Sequence, residues 1–184
     1  MDLNIEKLQQ IIRHGGIMAY PTEAVFGLGC DPNNSVAIEK LLTLKNRDPR
    51  KGLILIAASW SQLQAFVEPL GQELMTPIFA SWPGPNTWLL PYKNTICPLL
   101  HGKFDSLAVR VTNHPIAKQL CHLLDSPLVS TSANPEGKPP ARSLKEIEHY
   151  FPQGIDWLIS GDLGQQQNPT IIRDGRTGAI IRDT

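Results

Sequence analysis

Gly52-Leu53-Ile54-Leu55-Ile56-Ala57 is the stretch on which the fold turns. A short, unbroken apolar run rich in β-branched residues marks a strand buried on both faces. Toward the N-terminus, Leu8, Ile11 and Ile12 share one helical face, and 17–20 reads as a strand running into Pro21-Thr22-Glu23. Ile38, Leu41, Leu42 and the stem of Lys45 follow helical spacing after the turn-like Asp31-Pro32-Asn33-Asn34. Toward the C-terminus, Ser61 and Gln64 have the spacing of a capping box, and Trp82-Pro83-Gly84-Pro85 ends a helix and hands over to a strand at 87–92. Residues 106–112 alternate, with Leu107, Val109 and Val111 on one face and Ala108, Arg110 and Thr112 on the other. A helix begins near Pro115, and 128–132 is a strand with Leu128, Ser130 and Ser132 on one face. Ser143 and Glu146 cap a helix to about Phe151, and 171–173 and 179–182 flank Asp174-Gly175 as a hairpin. Helix and strand signals thus alternate from end to end, which predicts an α/β (α+β) fold. With neither an internal repeat nor a long linker, residues 1–184 read as a single domain.

Composition narrows the function. No apolar run approaches the roughly 18 residues needed to span a bilayer, and Met1–Lys7 has neither a basic nor an apolar signal region. Cys30, Cys97 and Cys121 are scattered and odd in number, which favours a reducing cytoplasm over a disulfide framework. The five histidines do not cluster with them at ligand spacing, so no protein metal site is expected. Lys+Arg and Asp+Glu are both 17, so bulk charge draws the chain to neither nucleic acid nor membrane, and any polyanion must be met by a local cluster.

Four segments supply such chemistry. In Pro21-Thr22-Glu23-Ala24-Val25-Phe26-Gly27-Leu28-Gly29, a proline turn and two glycines allow close approach of backbone to a ligand, or form a plain tight turn into a helix. Lys45-Asn46-Arg47-Asp48-Pro49-Arg50-Lys51 places four cations in seven residues at a helix end, suited to phosphate or simply to the helix dipole. Arg110 sits on the polar face of a strand with Ser106 and Thr112 nearby. It needs an anionic partner, either an Asp or Glu of the chain or a ligand carboxylate or phosphate. Ser130-Thr131-Ser132-Ala133-Asn134-Pro135 gathers hydroxyls and an amide at a strand's C-terminal end, where open α/β sheets bind ligands and where such residues also favour turns.

These segments, in this order, resemble the YrdC/TsaC family of threonylcarbamoyl-AMP synthases. The matching motifs are PTE-x-V-[YF]-G-[LV]-G at 21–29, K-x-R at Lys45 and Arg47, S-x-A-V-R at 106–110 and S-x-N at Ser132 and Asn134, with Trp82-Pro83-Gly84-Pro85-x-Thr87 between. The length resembles the family's short bacterial form. The resemblance implies a twisted mixed β-sheet flanked by helices, with a concave, positively lined cavity. It implies condensation of L-threonine, bicarbonate or CO2 and ATP to threonylcarbamoyl-AMP and pyrophosphate, with Mg2+ arriving on ATP. The product would pass to a separate tRNA threonylcarbamoyl transferase complex. By the same resemblance, Lys45, Arg47 and Lys51 hold phosphates, Lys45 and Arg47 being catalytic. Ser106, Ser132 and Asn134 bond the nucleotide, and Arg182 closes over it. Thr22, Arg110, Ser130 and Thr170 hold threonine, Arg110 by its carboxylate. Phe26 stands where many longer relatives carry tyrosine, and Ile56 where some carry histidine.

The competing reading of another class is an RNA-binding module using 45–51 on tRNA or ribosomal RNA. Neutral net charge and few aromatics weigh against it, although weak tRNA binding is compatible with a synthase. A carbamoyl-adenylate-forming domain of hydrogenase maturation is usually embedded in a longer chain with zinc-binding cysteine pairs, which this sequence lacks.

Overall fold

The computed structural model describes residues 5–182, so the signal reading at residues 1–4 lies outside the described residues. Its strands are β1 (Met18–Pro21), β2 (Phe26–Gly29), β3 (Ile54–Ala57), β4 (Asn86–Leu90), β5 (Leu107–Val111), β6 (Leu128–Ser132), β7 (Trp157–Leu158), β8 (Ile171–Asp174) and β9 (Ile180–Arg182). They form one twisted mixed sheet in the order β7-β1-β2-β6-β3-β5-β4-β8-β9. The strand anticipated from its apolar run lies at the centre, parallel to β5 and antiparallel to β6.

Its burial follows from period-two alternation. Leu55 and Ala57 join the larger core with Leu41, Ile38, Val109, Val111, Val129 and Ile78, while Ile56 joins the second core with Tyr20, Met18 and Leu128. Helices α1 (Ile5–Arg13) and α6 (Pro115–Leu123) contribute Leu8, Ile12, Ala117, Leu120 and Cys121 to that second core. Helix α2 (Ser35–Leu44) and the short α3 (Trp60–Leu63) cover the first, with α4 (Gln72–Ala80), α5 (Pro98–His101) and α7 (Leu144–Tyr150). Asn34 starts α2 by accepting from the Ala37 N–H at 3.0 Å. At α7 the anticipated cap forms: the Glu146 N–H donates to Ser143 Oγ at 3.3 Å, and Glu146 Oε2 accepts from the Arg142 N–H at 2.7 Å and from Ser143 Oγ at 3.1 Å.

Three expectations differ. Ser61 lies inside α3, whose N-cap is Ser59, and Ser59 Oγ meets Ser61 Oγ at 2.7 Å instead of capping the backbone. The terminal hairpin turns through 175–179, not through a two-residue Asp-Gly; Asp174 Oδ1 accepts from the Arg176 and Thr177 N–H groups at 2.7 and 3.1 Å and winds the longer turn. The turn at 22–25 enters a strand rather than a helix, because β2 pairs with β1 on one side and β6 on the other.

Strand β2 was hidden by its glycines, which fit it to Tyr20. A Cβ on Gly29 would fall 2.5 Å from the Val129 carbonyl oxygen and 2.9 Å from the Tyr20 ring, and one on Gly27 would meet the same ring at 3.5 Å. Tyr20, fully buried, therefore occupies space that side chains would otherwise claim. Gly29→Ala is expected to destabilise the fold by about 1–3 kcal/mol through overpacking, read as a lower urea midpoint; an unchanged midpoint would show that the Val129 backbone and the Tyr20 ring both give way.

Candidate functional site

Register places the polar strand residues on one face. Ile54 faces Ser130 across β3 and β6, Ile56 faces Arg110 across β3 and β5, and Gly27 faces Ser132 across β2 and β6. Paired residues project to the same side, so Arg110, Ser130 and Ser132 continue the face that carries Ile56 and Tyr20. A cavity of about 280 Å³ opens there, lined by Thr22, Glu23, Phe26, Gly27, Arg47, Arg110, Ser130, Ser132, Thr170 and Arg182, among others. Of the anticipated site residues, Thr22, Arg47, Arg110, Ser130, Ser132, Thr170 and Arg182 are brought together here. A hollow of about 550 Å³ elsewhere, between Asn33, Phe66, Cys97 and Ser126, is larger but has neither lysine nor arginine in its wall.

Two coil segments close the sides. The Phe26 N–H donates to the Ala141 carbonyl at 2.9 Å, which brings Pro140 to the rim. The Gly164 and Gln166 N–H groups donate to the Thr22 and Glu23 carbonyls at 3.0 and 3.1 Å, carrying the chain to Pro169 and Thr170. Arg142 Nη1 donates to the Gln167 carbonyl at 3.1 Å and ties one segment to the other.

Inside, the electrostatics are lopsided: three guanidinium groups and one carboxylate share the wall. Arg110 Nη2 lies 3.2 Å from Glu23 Oε2, both side chains being over nine-tenths buried. That contact is an ion pair without hydrogen-bond alignment, since Glu23 Oε2 and Arg110 Nε have no hydrogen-bond partner. Glu23 Oε1 is satisfied, accepting from Thr112 Oγ1 at 2.6 Å and the Asn113 N–H at 3.3 Å. Burial pushes the Glu23 carboxyl up, but the Arg110 guanidinium and the Thr112 hydroxyl together outweigh it and leave the pKa below its ordinary value. Arg47 Nη2 donates to the Gly52 carbonyl at 3.0 Å while its buried Nε has no partner. Arg182 Nη2 donates to the Thr170 carbonyl at 3.3 Å. Arg182 as a residue is exposed, but partial burial of its guanidinium, and after it the neighbouring Arg47 and Arg110, lower its pKa. Thr22 Oγ1 donates to the Val25 carbonyl at 2.7 Å, and Thr170 Oγ1 lies 3.0 Å from Thr87 Oγ1.

The remaining anticipated residues are not in the cavity wall. Lys45, almost wholly buried, donates from Nζ to the Ser132 carbonyl and, at 2.6 Å, to the Asn134 carbonyl. Asn134 Nδ2 donates to the Lys138 carbonyl at 2.7 Å. Exposed Lys51 pairs with Glu136, and Ser106 lies just ahead of β5. The K-x-R and S-x-N segments are thus laced together, the Glu136 N–H also donating to the Lys45 carbonyl at 2.9 Å. Sequence reasoning quoted Glu23 within its motif but gave it no role. The available signal was the demand of Arg110 for an anion, although nothing in the sequence chose among the acidic residues.

The family model for Sua5/YciO/YrdC, described as telomere recombination, matches residues 10–184. A protein of Stutzerimonas stutzeri named threonylcarbamoyl-AMP synthase is 47% identical, the match covering 98% of this chain and 97% of the relative. One of Halorhodospira halophila with the same name is 53% identical, the match covering 93% and 90%. The crystal structure of P. abyssi Sua5 complexed with L-threonine superposes with a TM-score of 0.86 at 30% identity, covering 92% of this chain and 50% of that one. The chain therefore spans about half the length of that Sua5 protein.

Lys45 gives a pH test. Burial, reinforced by Arg47, pulls its pKa from the ordinary 10.5 down to about 7. Between these values the unfolded chain binds more protons than the folded one, so stability rises with pH across that window. The stability of wild type relative to Lys45→Met should climb by about 1 kcal/mol per pH unit between pH 7 and 9.5. A pH-independent difference in denaturant midpoints would mean that the buried ammonium keeps its proton.

Proposed function

The chain belongs to the Sua5/YciO/YrdC family, and we infer that it is a threonylcarbamoyl-AMP synthase, an enzyme that uses ATP and L-threonine. The observation that carries this reading is the gathering of Arg47, Arg110 and Arg182 around one cavity with Glu23 as the only carboxylate in its wall. Guanidinium groups in excess of their counter-charges around one cavity are suited to substrates that bring several negative charges.

The third substrate in this reading is bicarbonate or CO2. Threonine's amino nitrogen bonds to the carbon of CO2 and loses a proton, giving an N-carboxylate. A carboxylate oxygen then attacks the α-phosphorus of ATP, and pyrophosphate leaves with the electrons of the broken P–O bond. The nucleophile is already an anion, so the protein's task is alignment and charge neutralisation. Arg47, Lys45, Lys51 and Arg182 would serve the phosphates, with Lys51 leaving Glu136 to do so. Ser106, Ser132 and Asn134 would serve the nucleotide through hydrogen bonds. Arg110 would take threonine's carboxylate, with Thr22, Ser130 and Thr170 beside it.

Among the described residues no group of three or more His, Cys, Asp or Glu could hold a metal ion. A protein-held Mg2+ does not fit this donor set; the ion would enter on the triphosphate. No described helix is long and apolar enough to cross a membrane. In this reading residues 1–184 act as one domain in the cytoplasm, and the product passes to a transferase complex that modifies the adenosine beside the tRNA anticodon.

Purified protein given ATP, threonine and labelled bicarbonate should release pyrophosphate and place label in an adenylate, each dependent on threonine. Arg47→Ala and Lys45→Ala should each abolish product with the circular dichroism spectrum unchanged, since a charge-stabilising donor is worth about 10²–10³ in rate. Near-normal activity in both variants would sink the phosphate assignment. Absence of turnover with salt-sensitive tRNA binding would replace the synthase by an RNA-binding protein.

A further inference from the structure

We propose that Glu136 is a resident stand-in for a nucleotide phosphate: in the free protein its carboxylate occupies the cation cluster at 45–51, and ATP must displace it. This inference deepens the synthase reading above and rests on it. Within the cluster, Asp48 Oδ2 answers Arg50 Nη2 at 2.8 Å, which leaves Glu136, from another part of the chain, to face Lys45, Arg47 and Lys51. Its Oε1 pairs with Lys51 Nζ, and its Oε2 accepts from the Asp48 N–H at 3.3 Å. Its charge also reaches the two deeper cations. Burial lowers the pKa of Lys45 and of Arg47, and in each case the Glu136 carboxylate works against that lowering. Glu136 itself is held below the ordinary carboxylate range, by Lys51 first and then by the Asp48 N–H, so it stands there as an anion. Arg47 belongs at once to this cluster and to the cavity wall.

The contact is of a kind that can be exchanged. The Glu136 N–H donates to the Lys45 carbonyl at 2.9 Å, which keeps the residue beside the cluster whether or not its side chain stays. The side chains themselves meet solvent, that of Lys51 being 51% exposed and that of Glu136 34%, so water can take over either when the pair parts. The Glu23–Arg110 pair, over nine-tenths buried, has no such freedom. A carboxylate brings one charge and two oxygens, whereas a triphosphate brings several of each, so ATP wins the contest for Lys51. It wins at a cost, because a contact already made must first be broken. Pyrophosphate meets the same competitor after the reaction, and Glu136 is waiting to replace it. Glu136 thus sets how tightly nucleotide and product are held, acting through Lys51 and without touching either.

The test is calorimetry of ATP and of inorganic pyrophosphate, each with EDTA so that no metal ion bridges carboxylate and phosphate. Glu136→Gln keeps the length and an acceptor for the Asp48 N–H but removes the charge. Both ligands should bind it about fivefold more tightly than they bind wild type, the scale of one exposed ion pair. In a Lys51→Met background the same change should alter affinity by less than about twofold, because the masked cation is gone. A residue that merely fastens the two segments together predicts the opposite sign. Weaker or unchanged binding by Glu136→Gln therefore overturns the proposal. An equal gain in both backgrounds overturns it too, since Glu136 would then act as a distant charge and not by covering Lys51. Wild type that binds neither ATP nor pyrophosphate would overturn the synthase reading itself, and this inference with it.

Discussion

A guanidinium on a central β-strand must be answered by an anion, and much of the site is organised around that demand. Arg110 projects from β5 onto a face otherwise held by Ile56, Tyr20 and Leu128. Its answer comes from Glu23, brought within reach by the turn between β1 and β2, where Thr22 clasps Val25 through both its backbone N–H and its hydroxyl. Replacing such a pair by apolar residues is often neutral or stabilising, so stability alone gives little reason to keep it.

The second constraint is mutual support between loops that carry charge. The 45–51 and 132–138 segments are distant in sequence but fastened by Lys45 on the Ser132 and Asn134 carbonyls, by Glu136 on Lys51, and by the Glu136 N–H on the Lys45 carbonyl. The pairs at Lys51 and Glu136 are exposed and contribute little energy by themselves. Lys45 differs, because its buried head is held by carbonyls that form part of the strand end beside the cavity. Asn134 is therefore tied directly to Lys45, two residues before Arg47.

Much of the architecture was legible in sequence because it rests on periodicity. The apolar run at 54–57, the alternation at 107–111 and the strand at 128–132 each stand where pattern placed them. Glycine hid β2, since a strand of Phe26-Gly27-Leu28-Gly29 has the composition of a turn, and the glycines are explained by the close approach of the Val129 carbonyl, the Tyr20 ring and the Thr22 side chain. The two-residue β7 is too short to leave a period at all. In the site, the identity of charged residues was readable but their direction was not. Lys45 and Arg47 are two residues apart, yet one points beneath the sheet-end carbonyls and the other into the cavity. That difference arises at a helix terminus, where Asn46 adopts a positive φ of 52° and rotates the chain between them.

The same geometry explains how a chain of zero net charge presents a cationic interior. Acidic residues balance the basic ones over the whole sequence, but in the cavity wall only Glu23 opposes Arg47, Arg110 and Arg182. Beyond a Debye length of roughly 8 Å the surface balance is screened, while inside, where water is partly excluded, each guanidinium acts at close quarters. Selectivity then follows from position. A polyanion is favoured only where it can reach the arginines. Exposed Lys40 and Arg176 are paired to Asp156 and Asp105 outside the cavity wall, whereas in the wall itself three guanidinium groups face one carboxylate.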